Sequence, residues 1–146
     1  MTTIAYDGKM IAADTMCDSG YIEQHPVNKI HDCGENYIAA AGTLGAIRMW
    51  VDWYKSGCDT KDFKEMGLDP EAVWVLEVNK TTKKARTWDS GFPVPILDWT
   101  GAKMAEGSGR DFAMGAMLAG KNAKEAVMIA SKLDKGTGGK IMAVAL

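Results

Sequence analysis

Histidine, cysteine and proline are all scarce in this chain of 146 residues. The two histidines, His25 and His31, and the three cysteines, Cys17, Cys33 and Cys58, are scattered. No Cys-x-x-Cys pair and no His-x3-His spacing occurs, so the usual signatures of a zinc site are missing. Both histidines read as isolated polar loop residues, and no metal or organic cofactor is expected. An odd number of distant cysteines excludes a disulfide mini-protein. No apolar run approaches the roughly 20 residues of a membrane helix. The first eight residues lack the basic start and apolar centre of a signal peptide, so the expected location is cytoplasmic. Neither sign of charge dominates: 17 basic against 19 acidic residues give a net charge of −2. That argues against nucleic acid as a partner, and Lys80–Lys84 reads as a solvated turn. What is there is ordinary globular usage, 47% hydrophobic and 25% charged. It suffices for one domain over 1–146 with a real core, and not comfortably for two.

The pattern along the chain is strands, helix, strands, two helices, strand. Thr2–Tyr6 and Lys9–Thr15 flank Asp7-Gly8, a dipeptide suited to a type I′ hairpin turn. Residues 16–28 read as a polar loop. Short strands follow at Lys29–Cys33 and Tyr37–Ala41. From Thr43, the residues Leu44, Ile47, Trp50, Val51 and Tyr54 form one helical stripe, with Arg48 and Asp52 spaced to pair and Gly57 placed to end the helix. After a polar stretch over 58–70, Ala72–Val78 and Lys84–Asp89 read as strands, with an edge strand near Pro93–Trp99. Gly107-Ser108-Gly109 precedes a helix over Arg110–Ala119, broken by Gly120. Asn122 and Glu125 form a capping-box pair opening a third helix, whose buried stripe is Ala123, Ala126, Val127, Ala130 and Leu133. Lys140–Leu146 closes the chain as a strand. This order suits an α+β domain of two antiparallel sheets face to face with helices outside, though pattern alone does not separate it from other α+β folds.

Several residues could carry chemistry. If Met1 is removed, Thr2 exposes a hydroxyl and a free α-amine on one residue. Such an amine has a pKa of about 7.7–8.0 and can serve as the base for its own hydroxyl. A threonine after the initiator is by itself ordinary. Asp14 ends an apolar strand and Lys29 opens another. Each reads as a surface charge, unless both point inward and pair. Gly42, before a helix, allows close backbone approach and offers an N–H to an oxyanion. Ser108 reads as an N-cap, and Asp134 and Thr137 as capping residues around a glycine-rich turn.

Taken in order, six segments resemble the proteasome β-subunit family and its bacterial relative HslV, the N-terminal-threonine hydrolases. They are Thr2-Thr3-Ile4-Ala5, Ala12-Ala13-Asp14-Thr15, Asn28-Lys29-Ile30, Ala40-Ala41-Gly42-Thr43, Glu106-Gly107-Ser108-Gly109 and Asp134-Lys135-Gly136-Thr137-Gly138-Gly139. No one of them is specific; their order and spacing are. The resemblance implies a four-layer α-β-β-α sandwich and a threonine peptidase without cofactor. Thr2 would be the nucleophile, with Lys29 favouring its alkoxide and Asp14 holding Lys29. Gly42 would stabilise the oxyanion, while Ser108, Asp134 and Thr137 orient the amine. Val27, Ala40 and Leu44 would line the substrate pocket by family position, implying a preference for apolar residues before the scissile bond. The implied partners are peptides or unfolded proteins, further copies of the chain in a ring, and a regulatory ATPase as an open choice.

Three departures stand out. Thr137 replaces the family's usual serine. The stretch before Ala72 is too short for a long helical pair, implying a reduced helical layer and unfamiliar ring contacts. The chain also lacks the C-terminal additions of larger members. Two other readings remain: a catalytically silent relative that keeps Met1 and serves assembly, and an unrelated α+β binding module, for which Thr2 would lie far from Lys29.

Overall fold

The computed structural model describes residues 1–17 and 26–146. His25 and most of the expected polar loop over 16–28 lie outside the described residues. Among the described residues there are nine strands and four helices, in two antiparallel sheets. The first sheet contains β1 (Thr3–Tyr6), β2 (Met10–Ala13), β8 (Met104–Gly107) and β9 (Met142–Ala145), in the order β8-β1-β2-β9. The second contains β3 (Ile30–Cys33), β4 (Asn36–Gly42), β5 (Val73–Asn79), β6 (Ala85–Asp89) and the short edge strand β7 (Leu97–Asp98), in sequence order. Helices α3 (Arg110–Leu118) and α4 (Ala123–Leu133) cover the first sheet, and α1 (Leu44–Lys55) with α2 (Thr60–Met66) covers the second. This is a four-layer α-β-β-α sandwich.

Strand alternation builds the layers. Ile4, Tyr6, Ile11 and Ala13 face the second sheet and meet Ile30, Ala39, Leu76 and Val78. Their neighbours Ala5 and Ala12 face outward and meet Ala123, Ala126, Val127 and Ala130 of α4. Alanine on both surfaces lets the helix lie close to the sheet. On the far side, Ile38, Ala40 and Val75 pack against Ile47, Trp50, Val51 and Trp53 of α1, with Trp88 completing an aromatic cluster.

Local expectations needed four corrections. The first hairpin turns around Gly8-Lys9, one residue later than read, and Gly8 alone takes a positive φ, of 93°. Asp7 is not a left-handed turn residue: its Oδ1 accepts the N–H groups of Lys9 and Met10, both at 2.8 Å, and so competes with a type I′ turn. The polar stretch 58–70 contains α2, capped by the Asp59 carboxylate and ended by Gly67 at φ 60°. Arg48 and Asp52 make no ion pair. Leu133, read as part of the buried stripe of α4, is 60% exposed. The capping box of Asn122 and Glu125 is formed.

One buried charge had no signal in the sequence. Glu77 on β5, only 2% exposed, projects under α1. Its Oε1 accepts Arg86 Nε at 2.8 Å and the same guanidinium's Nη2, while Oε2 accepts the Tyr54 hydroxyl at 2.8 Å and the Trp88 indole N–H at 3.2 Å. Burial, and next the bond to Glu77, push the Tyr54 phenol pKa up. Arg86→Met would leave the carboxylate inside with only the two neutral donors. The expected loss is about 3 kcal/mol, read as a lower urea midpoint at pH 7; an unmoved midpoint would contradict it.

Candidate active site

The start of the chain enters the sandwich at one end of the first sheet. Thr3 N–H donates to Asp14 Oδ1 at 2.9 Å, and the Ser108 N–H donates to the Thr2 carbonyl at 2.9 Å. Close approach of β8 explains Gly107, which has a φ of 98° and whose missing Cβ would lie 1.8 Å from the Thr2 oxygen. Thr2 is therefore fixed by its backbone on both sides.

Asp14 and Lys29 both point inward, with side chains 0% and 5% exposed. Lys29 Nζ donates to Asp14 Oδ1 at 2.9 Å, to the Met16 carbonyl at 2.7 Å and to the Met1 carbonyl at 3.1 Å. The last acceptor belongs to the peptide bond joining Met1 to Thr2, so the ammonium sits at the threonine. Asp14 Oδ2 accepts the Gly138 N–H at 3.1 Å. The glycine-rich turn after α4 is thereby tied to the same carboxylate.

A second hydroxyl-rich cluster lies across Thr2. Asp134 Oδ2 accepts Ser108 Oγ and Thr137 Oγ1, both at 2.6 Å. Ser108 is thus not a cap; Gly109 is the N-cap of α3, without a side-chain bond. Thr137 Oγ1 also lies 2.5 Å from Thr3 Oγ1, which accepts the Gly109 N–H at 3.0 Å. Thr3, fully buried, is a residue that reading by motif left without a role. The Ser108 bond, then the Thr137 bond, hold the Asp134 pKa below its ordinary 3.8, and the positive amino terminus adds to this. A depressed folded-state pKa stabilises the fold above the ordinary carboxylate range, and this contribution disappears as pH falls through the lower folded value. Ser108→Ala is therefore expected to return the Asp134 titration, followed by carboxyl NMR, toward 3.8; an unchanged titration would count against the hydrogen bond as the cause.

Gly42 has a φ of 135°, and a Cβ there would lie 2.0 Å from the Ala72 carbonyl oxygen, so no side chain fits. It stands opposite Val73, whose N–H and C=O are both engaged by Ser90 on the other side. In an antiparallel ladder this makes Gly42–Val73 a non-hydrogen-bonded pair. The Gly42 N–H then points away from β5, toward the side where Lys29 lies.

A cavity of about 630 Å³ adjoins Thr2, Lys29 and Gly42, while Ser108, Asp134 and Thr137 are not in its wall. Val27, Ala40 and Leu44 are all in the same wall. The wall also contains Ile47 and Val51, and four polar residues the motifs did not single out: His31, Arg48, Asp52 and Lys55. The α1 members share one helical face, which helical spacing could have revealed. Burial, then the charge of Lys55, push the His31 imidazole pKa below 6.5. Among the described residues no group of three metal-ligating side chains converges.

The fold recurs in solved structures. The chain has the fold of HslV. HslV from Trypanosoma brucei is 17% identical and superposes with a TM-score of 0.65, covering 100% of both chains. Thiobacillus denitrificans BPH is 20% identical, with a TM-score of 0.69 over 99% of this chain and 96% of that one. The same protein in complex with epoxomicin gives 18% identity and a TM-score of 0.64, over 99% and 97%. No protein-family model and no curated protein matches the sequence. HslV-like likeness thus rests on the fold alone. No helix among the described residues is long and apolar enough to cross a membrane.

Proposed function

We propose that this chain is a threonine peptidase that acts through Thr2 once Met1 has been removed. The observation that carries this reading is Lys29 Nζ, bonded at once to buried Asp14 and to the carbonyl of the Met1–Thr2 peptide bond. Cleaving that bond gives Thr2 a free amine and hydroxyl beside a fixed ammonium. Thr2 Oγ attacks a peptide carbonyl, and its proton passes to the Thr2 amine. Lys29 lowers the cost of the alkoxide, and the Gly42 N–H stabilises the oxyanion. The intermediate collapses to an ester on Thr2 as the departing amine takes the proton, and water then hydrolyses the ester. Ser108, Asp134 and Thr137 position the Thr2 amine. Substrates are peptides or unfolded chains, in the cytoplasm.

The working form is a ring of at least six copies, to which a regulatory ATPase could be added. Phe112 of α3 and Leu133 of α4, 43% and 60% exposed, supply apolar surface for such contacts. A stable 15.8 kDa monomer in light scattering would contradict the ring without touching the chemistry.

The contact of Lys29 with Met1 also favours a second reading, in which Met1 stays and the chain is a silent assembly subunit. Intact mass separates the two. The peptidase reading expects loss of one methionine and, on incubation with epoxomicin, one adduct on the N-terminal peptide. Retained Met1 and no adduct would establish the silent reading.

A further inference from the structure

The cavity beside Thr2 is not uniformly apolar. Lys29 and His31 lie on the same side of the β3 strand line, because Ile30 between them faces the inter-sheet core. Two residues of extended chain place His31 roughly 6–7 Å beyond Lys29. On the opposite wall, Leu44 and Arg48 are one turn of α1 apart, about 6 Å. His31 thus lies beyond Lys29 along the strand line and Arg48 one turn beyond Leu44 along α1, and both are in the wall of the cavity that Thr2, Val27, Ala40 and Leu44 also line. His31 Nε2 is buried with no hydrogen-bond partner, which leaves a polar atom wanting one. Arg48 makes no ion pair among the described residues, although Asp52 follows one turn later. With Lys55, a further turn along, the described residues of α1 in the wall carry two cations against one anion.

We propose that His31 and Arg48 select a glutamate side chain in the substrate residue whose carbonyl Thr2 attacks. The methylenes of glutamate would pass Val27, Ala40 and Leu44, and its carboxylate would take the unused His31 Nε2–H and face Arg48. Aspartate, one methylene shorter, would leave His31 unpaired. Leucine would pack against the same three apolar residues but leave the same buried nitrogen without a partner. Arginine would set a third cation beside Arg48 and Lys55. This inference rests on the Thr2 reading for where the substrate is held. It replaces a simple apolar preference with an apolar passage ending in a carboxylate site.

Two measurements test it. Processed protein is assayed against fluorogenic peptides carrying Glu, Asp, Gln, Leu or Arg before the cleaved bond. The expected result is kcat/KM for Glu about tenfold above Leu, with that ratio lost in His31→Ala and in Arg48→Ala. Binding of product peptides ending in Glu or Leu to a Thr2→Ala variant is measured by calorimetry, which needs no turnover. Tighter binding of the Glu product, by about tenfold, is expected to vanish in Thr2→Ala/Arg48→Ala. Equal binding, or a Leu preference in either experiment, would overturn the inference. Selective binding of the Glu product by protein whose processed form cleaves no peptide would uphold the carboxylate site and overturn the peptidase reading instead.

Discussion

On the proposed mechanism, replacing Thr2 with alanine is expected to reduce peptide cleavage by about 10⁴-fold or more, the scale on which removal of a nucleophile acts in hydrolases. Alanine is small, so the proposed removal of Met1 and the free amine should be kept, and only the hydroxyl lost. The fold should be unaffected, since Thr2 is held through its carbonyl by the Ser108 N–H. Thr2→Ser restores a hydroxyl in the same place and should recover much of the rate. The decisive comparison is the initial rate of the two variants at equal folded concentration. Alanine and wild type cleaving alike would remove Thr2 from the chemistry. Serine failing as badly as alanine would mean that the hydroxyl alone does not account for the loss.

Most of the architecture was legible because it depends on periodicity. The apolar runs at Thr3–Tyr6 and Met10–Ala13 mark the buried strands, and the stripe from Leu44 to Tyr54 marks α1, where Ile47, Trp50 and Val51 are covered, Leu44 is exposed and Trp53, outside the stripe, is buried. A turn displaced by one residue at Gly8-Lys9 arises from a side-chain acceptor, Asp7, that period counting does not see. The seven-residue α2 has no buried position, so it has no stripe to read. At the site, residues became legible only in combination. Asp14 and Lys29 each look like surface charges, and only their meeting across the two sheets makes both buried. Ser108 looks like a cap until Asp134, from the far end of α4, reaches it. His31, Arg48 and Lys55 carry no motif; they matter through the wall they share, which needs the packing of α1 on the second sheet. Glu77 illustrates the same limit, because its partners Tyr54, Arg86 and Trp88 come from a helix and a neighbouring strand.

Lys29→Met should affect stability and activity together, and the two effects have different sources. Methionine keeps the length of the stem and fills the same space, so packing changes little. Asp14, 0% exposed, then keeps only the Thr3 and Gly138 N–H donors at 2.9 and 3.1 Å. A buried carboxylate stripped of its cation costs about 3–5 kcal/mol, measurable as a fall in the urea midpoint at neutral pH. Asp14→Asn combined with Lys29→Met removes the stranded charge and should recover part of that loss. Recovery stays incomplete because an amide can present an oxygen to only one of the two N–H groups, and its NH₂ faces the other. Activity follows another rule: without the ammonium beside Thr2, the alkoxide loses its electrostatic partner, and a fall of about 10²–10³ is expected even where the double variant is well folded. Circular dichroism with urea titration and single-turnover rates on the same samples separate the two contributions. A double variant that regains both stability and full activity would leave Lys29 a structural counter-ion to Asp14 with no part in the reaction at Thr2.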